Sequence, residues 1–141
     1  GEDGRGFSSE VAVASAGEGR GVGVFAEEDL QVGDIICIDR PIGTTCAFGC
    51  CVDEILQALF IPHESDSSWV YSDLLSGDLA LSYDESRVDE CSEEDLPHWA
   101  RERNVTPYEY ARAITQIAMN AYRANLAPPD CISLLPYTRL F

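Results

Sequence analysis

Val11-Ala12-Val13-Ala14, the glycine cluster Gly17-Glu18-Gly19-Arg20-Gly21-Val22-Gly23 and the run Val24-Phe25-Ala26 form the stretch from which the fold class is read. Two short apolar runs on either side of a glycine turn make a hairpin-like β unit. Downstream, Leu30-Gln31-Val32-Gly33-Asp34 reads as a turn. After it, Ile35-Ile36-Cys37-Ile38 is β-branched and apolar enough for a buried strand that ends before Pro41. Upstream, residues 1–10 are polar and glycine-rich and are expected to form a loose, flexible arm. Residues 11–45 are therefore expected to be a β part.

From Cys46 the period changes to a helical one. Ile55, Leu56, Leu59 and Phe60 follow the acidic first turn Asp53-Glu54, and Pro62 stops the helix. Ser67 or Ser68 is placed to cap a further short helix holding Trp69, Leu74 and Leu75. The clearest helix starts at Thr106-Pro107-Tyr108-Glu109, where Thr at the cap, Pro at the first helical position and Glu three residues after the cap make a capping box. Tyr110, Ala113, Ile114, Ile117, Ala121 and Ala124 then line one face, and Pro128-Pro129 forbids continuation. At 100° per residue Asn120 lies about 20° from Ala113, at the edge of that face. A carboxamide there needs hydrogen-bond partners, supplied either by nearby backbone or by a ligand.

Composition excludes several chemistries. The 141 residues carry 25 Asp and Glu against 9 basic residues, a formal charge of −16. Every basic residue is Arg. Schiff-base or lysine general-base catalysis and a Gly-Lys-Ser/Thr phosphate loop are therefore absent from this sequence. The negative charge repels phosphate backbones, so no direct nucleic-acid contact is expected and a basic protein or peptide is the favoured partner. No apolar stretch approaches the ~20 residues that span a bilayer, so no membrane association and a soluble protein are expected. Six cysteines without a disulfide pattern point to a reducing compartment, cytoplasmic or nuclear. The chain opens on Gly1 and closes on Phe141 inside an apolar run, and both ends are expected to be cuts in a longer chain.

Spacing excludes several other motifs. The glycine cluster fails as a G-x-G-x-x-G dinucleotide fingerprint, because Val22 and Val24 fall where glycine is required, and it runs into a strand instead of a helix. What remains is a bare backbone that can approach a ligand closely, with Arg20 able to meet a carboxylate. Cys46, Cys50 and Cys51 lack the second Cys or His pair of a zinc module. Asp84 to Asp95 holds seven carboxylates and Arg87 but no calcium-loop spacing or central glycine, so a solvated loop is expected there. No metal site is expected. His63 and His98 have no nucleophile in a hydrolase arrangement, and His98 beside Trp99 is expected to be structural.

With these residues in view, Gly19-Arg20-Gly21-Val22-Gly23-Val24-Phe25-Ala26, Asp29-Leu30-Gln31-Val32-Gly33-Asp34-Ile35-Ile36 and Pro41-Ile42 resemble the opening of a SET domain. That family begins with G-x-G-[VL]-x-A, an acidic turn, and a Gly-[DE]-x-[IL] strand leading to a proline. Aligning on Gly21-Val22-Gly23 fits best; Gly19-Arg20-Gly21 leaves two extra residues. Ile117-Ala118-Met119-Asn120-Ala121-Tyr122 resembles the helix of SET-and-MYND-like enzymes that ends in Asn-[AS]-[FY]. Leu134 to Phe141 resembles the segment just before their Asn-His-Ser-Cys motif.

The resemblance implies an α+β fold: small β-sheets of a SET-type fold with a helical insert, truncated at the C-terminus. It implies a helical insert over 46–125 with its acidic loop at 84–95, and over 126–141 the start of the C-terminal SET part. The insert lacks the MYND finger's Cys and His pattern. The implied cofactor is S-adenosylmethionine, bound through Arg20, Gly21, Val22 and Gly23, with Asn120 as the helix contribution. Val22 replaces a polar residue often found there, so only its backbone is carried over. The implied activity is methyl transfer to a protein lysine, with a histone or ribosomal protein as substrate. The channel tyrosine and the Asn-His-Ser-Cys motif lie beyond Phe141. No catalytic residue is therefore expected in this chain, and the 141 residues alone are expected to transfer no methyl group and to bind the cofactor weakly or not at all. The alternative is a non-catalytic acidic protein-interaction module with a degenerate SET-like fold.

Overall fold

A computed structural model describes residues 6–39, 42, 51–61, 73–77, 79–89, 91–123 and 132–141. The fold is mixed α+β, with small antiparallel sheets and short helices. The chain divides into two compact units: Gly1–Pro41 with Leu135–Phe141, and Ile42–Leu134. The unit boundaries fall at 41/42 and 134/135, whereas the sequence reading put divisions at 45/46 and 125/126.

In the first unit, β1 (Gly6–Phe7) pairs antiparallel with β4 (Cys37–Ile38), and β2 (Val11–Ser15) pairs antiparallel with β3 (Val22–Ala26). The β2–β3 register runs from Val11 opposite Ala26 to Ser15 opposite Val22, as the apolar runs suggest. Two expectations need correcting. The loose arm does not extend to Glu10, because Gly6 and Phe7 are in a strand and Ser8 N–H donates to Ile36 O at 2.9 Å. The buried strand over Ile35–Ile38 contracts to Cys37–Ile38, and Ile35 is exposed. The reason is the partner: β1 is two residues long and can pair no further. Phe7 packs edge-on against Tyr137 and Phe141 at centroid distances of 5.5 and 5.9 Å.

The second unit contains α1 (Val52–Phe60), α2 (His98–Glu102) and α3 (Pro107–Asn120), with a short turn between α2 and α3, and residues 73–76 form one helical turn. Tyr122–Arg123 (β5) and Ile132–Ser133 (β6) pair antiparallel, and Ile42 bridges Leu134. The capping box of α3 forms as the spacing predicts: Glu109 N–H donates to Thr106 Oγ1 at 3.1 Å, and Thr106 N–H to Glu109 Oε1 at 3.4 Å. Asn104, just before it, takes a positive φ of 57°, a conformation Asn tolerates, and this turns the chain from α2 into α3. The expected cap residues Ser67 and Ser68, Trp69 and the stop at Pro62 lie outside the described residues.

The core of this unit joins Ile55, Leu56 and Leu59 of α1 to Ala113 and Ile117 of α3, with Ile42, Leu74, Leu81 and Leu134. Its rim carries an aromatic row, Phe60 to Trp99 at 5.9 Å and Trp99 to Tyr110 at 6.2 Å. Asp53 ties the row to α1: its carboxylate accepts from Trp99 Nε1 at 3.2 Å and from Gln57 Nε2 at 2.7 Å. The single apolar face expected on α3 is a correction. Ile114 is exposed, while Ala111 and Thr115, on the side opposite Ala113, are buried together with Gln116. One side of the helix packs on α1, Leu74 and Leu81; on the other, Ala111 and Thr115 line a cleft with Arg87, Asp89 and Cys91. A wheel built from apolar residues alone cannot show a buried Thr, whose hydroxyl is satisfied by Ala111 O at 3.1 Å.

The acidic stretch has local order. Asp84 accepts from the N–H and hydroxyl of Ser86, and Asp95 accepts from the N–H and hydroxyl of Ser92, each closing a 3-10 turn, Glu85–Arg87 and Glu93–Asp95. These bonds favour the charged form and hold both carboxyls below their ordinary value. Arg101 closes over the second turn, donating to Glu94 O at 3.0 Å and Leu96 O at 3.1 Å. Among the described residues no helix is long and apolar enough to cross a membrane.

Candidate cofactor site

The glycine connection between β2 and β3 is a wide turn built on three left-handed glycines, Gly17, Gly19 and Gly21, at φ of 111°, 76° and 72°. Ala16 N–H donates to Gly21 O at 2.8 Å and Arg20 N–H to Gly17 O at 3.1 Å, so the turn is closed by its own backbone. A Cβ at Gly19 or Gly21 would meet nothing within 4 Å. Backbone conformation, not crowding, therefore demands glycine here, and the demand leaves main-chain atoms open to approach. Arg20 and Val22 are exposed beside it; Gly23 is half-buried within β3. Arg20, expected to meet the methionine carboxylate, and Gly21, Val22 and Gly23, expected to offer backbone contacts to the cofactor, thus share one loop and its following strand.

Asn120 lies in the second unit, at the last position of α3. Its Nδ2 donates to Ser82 O at 2.8 Å and to Gln116 O at 2.7 Å, and its Oδ1 accepts from the Ser82 hydroxyl at 3.2 Å. Beside it, buried Gln116 donates to Leu81 O at 2.9 Å, so two amides stitch the end of α3 to residues 81–82. Both amide hydrogens of Asn120 are spent on this seam, and Oδ1 keeps a second lone pair.

The described residues of the second unit line clefts at two places. One of about 480 Å³ has Glu93, Glu94, Arg101 and Thr106 on its walls; the other, about 220 Å³, has Arg87, Asp89, Cys91 and Ile114. Asn120 lines neither of them. Among the described residues no group of three or more His, Cys, Asp or Glu is placed to hold a metal ion. Cys46 and Cys50 lie outside the described residues, and Cys51 is a free thiol at the start of α1. His98 pairs with Glu102 at 2.9 Å on the exposed side of α2.

Asp39 is a residue that the sequence reading missed. Its Oδ2 accepts from Tyr137 N–H at 3.0 Å and Thr138 N–H at 2.7 Å, tying the segment after Leu134 to the end of β4. Burial, with the Asp39 charge adding, pushes the neighbouring Cys37 thiol up, so this cysteine is not an activated nucleophile. Only its place after a strand hinted at Asp39; the partner lies 98 residues away.

Glu10 sits beside like charges in the first unit. The Asp34 carboxylate beside it, with burial and Glu28 adding, holds Glu10 above its ordinary value. Ionised Glu10 therefore costs folding stability, a cost that is absent below 4.5, where the unfolded chain is also protonated, and complete above the raised folded value. Glu10→Gln, whose amide can donate to Asp34, is expected to raise the melting temperature at neutral pH and to leave it unchanged well below 4.5. Equal gains at both ends of a calorimetric pH series would refute this.

Comparison with protein-family models, with curated proteins and with solved structures finds no match to this chain.

Proposed function

We propose that the chain forms part of a SET-type protein-lysine methyltransferase that takes S-adenosylmethionine as methyl donor and a basic protein, such as a histone or a ribosomal protein, as substrate. The observation that carries this reading is the β2–β3 hairpin, whose left-handed glycines leave main-chain atoms uncovered beside the exposed Arg20. A guanidinium next to a bare backbone suits a ligand that ends in a carboxylate and carries polar groups along its length. In this reading Arg20 meets the methionine carboxylate, and Gly21, Val22 and Gly23 contribute backbone contacts. Methyl transfer to lysine requires a neutral amine held in line with the sulfonium methyl, and the protein's share is orientation and charge placement. The net charge of −16 favours capture of a basic substrate.

Asn120, in the second unit, holds the Ser82 seam and carries no part of this loop assignment.

The test is a titration of the chain with millimolar S-adenosylmethionine, followed by amide chemical shifts. The amides of residues 19–23 are expected to move and Arg20→Ala to abolish the movement. Loop shifts that ignore Arg20→Ala, or cofactor-induced shifts confined to residues outside the loop, would overturn the assignment.

A second reading is a non-catalytic acidic interaction module with a degenerate SET-like fold. It is favoured by the exposed Val22, Phe25, Leu30, Val32, Ile35 and Ile38 of the first unit, alongside Glu27, Glu28 and Asp29. An apolar surface among carboxylates suits a basic, partly apolar partner. Loop shifts with a basic peptide but none with S-adenosylmethionine would select it.

A further inference from the structure

We propose that Ser92 is a phosphorylation site for an acidic-directed serine kinase, and that the phosphate opens the Glu93–Asp95 turn. Ser92 is followed by Glu93, Glu94 and Asp95, and no other Ser or Thr of the chain has carboxylates at all three following positions. A kinase whose peptide cleft is lined by Arg and Lys recognises such a run through charge pairing at each position. Ser92 and the three acidic residues are exposed, and Ser92 itself has an extended backbone (φ −87°, ψ 165°), the conformation in which a substrate serine is presented. The competing serines are less suited. Ser82 has Tyr83 at the first following position and its hydroxyl is engaged by Asn120. Ser86 is followed by Arg87, a like charge for a basic cleft.

In the transfer, Ser92 Oγ forms a bond to the terminal phosphorus of a magnesium-bound nucleoside triphosphate as the bond to the bridging oxygen breaks. The nucleoside diphosphate leaves, and the hydroxyl proton passes to a carboxylate base of the kinase. The structural consequence follows from the Ser92 hydroxyl, which donates to Asp95 Oδ2 at 2.9 Å while Ser92 N–H donates to the same oxygen at 3.0 Å. Phosphorylation removes the hydroxyl donor and puts about −1.5 to −2 of charge against Asp95 and its two acidic neighbours. The Asp95 N–H to Ser92 O bond at 3.0 Å, which closes the turn, loses its support. Leu96, buried against Ala100 and Val105, is the side chain that the turn delivers to its cluster. The acidic stretch thereby becomes a point at which one modification loosens an anchor of the α2–α3 corner.

The experiment treats the chain with a purified acidic-directed serine kinase and magnesium ATP, maps phosphate by mass spectrometry, and follows amide hydrogen exchange. One phosphate on Ser92 is expected, none on Ser92→Ala, and an initial rate at least about tenfold lower on Glu93→Gln with Glu94→Gln, since each lost charge pair weakens recognition. In the phosphorylated chain the Asp95 and Leu96 amides should exchange about tenfold faster, the usual size of a lost cap. No incorporation, or phosphate on Ser82 or Ser86 in place of Ser92, overturns the site. Incorporation at Ser92 with unchanged exchange at Asp95 and Leu96 overturns the opening of the turn.

Discussion

Ile117→Ala is expected to lower the stability of the second unit by about 3 kcal/mol, within the range for deleting a fully buried aliphatic chain. Ile117 has 0% exposure and sits where α3 meets α1, among Ile55, Leu56 and Leu59. Truncation removes its transfer free energy and leaves a cavity that two helices on either side cannot both collapse into. For a chain of this size the loss corresponds to a fall in melting temperature of roughly 10 °C. Both tryptophans of the sequence, at 69 and 99, fall within the span of this unit, so guanidinium unfolding followed by tryptophan fluorescence reports it. Ile114→Ala is the matched control. Ile114 is 38% exposed on the same helix, and its truncation should cost less than 1 kcal/mol. Equal losses at the two positions would mean that the buried side of α3 has been misassigned.

Asp39→Ala is expected to release the segment 135–141 from the first unit, at a cost of about 2 kcal/mol. Two backbone donors, Tyr137 N–H and Thr138 N–H, converge on one half-buried carboxylate oxygen. Hydrogen bonds to a charged acceptor contribute about 1.5–3 kcal/mol, and their loss strands the two donors beside a buried ring. That ring is Tyr137, whose edge contact with Phe7 depends on the segment staying in place. Hydrogen exchange at Tyr137 and Thr138 measures the effect directly: protection should vanish in Asp39→Ala and survive in part in Asp39→Asn, which keeps a neutral acceptor. Protection that persists in Asp39→Ala would show that contacts other than this carboxylate hold the segment.

The contrast between these two positions shows why parts of the fold were legible and others not. Ile117 announces itself, since its spacing from Ala113 along a capped helix marks a core position without any knowledge of the partner. Asp39 does not, because its role exists only once Tyr137 and Thr138 arrive from the far end of the sequence. The hairpin and its glycine turn were readable because both strands and their connection lie within 16 residues, Val11 to Ala26. Ile35 misled for the complementary reason: a β-branched run looks like a strand, but pairing requires a partner, and β1 offers only Gly6 and Phe7.

The candidate site divides along the same line. Arg20 to Gly23 are contiguous, so their grouping on one loop follows from local chain geometry. Asn120 was recognised as a carboxamide at the edge of an apolar face that must find partners. Which partners it found, Ser82 O, Gln116 O and the Ser82 hydroxyl, depended on how the 81–82 segment packs on α3.

The sequence by itself determined the features whose partners are a few residues apart. These are the Thr106 capping box, the glycine turn between β2 and β3 and the acidic first turn of α1 at Asp53 and Glu54, beside the absence of lysine with its chemical exclusions. The three structural features are closed by short-range sterics or hydrogen bonds, which cost little chain entropy to form. Only the tertiary structure decided that Asp39 clamps Tyr137 and Thr138, that Gln116 and Thr115 are buried while Ile114 is not, and that Asn120 is stitched to Ser82. Those outcomes bring together groups as many as 99 residues apart. Their stabilisation exists only after the long loops between them have closed, and neither periodicity nor spacing records it.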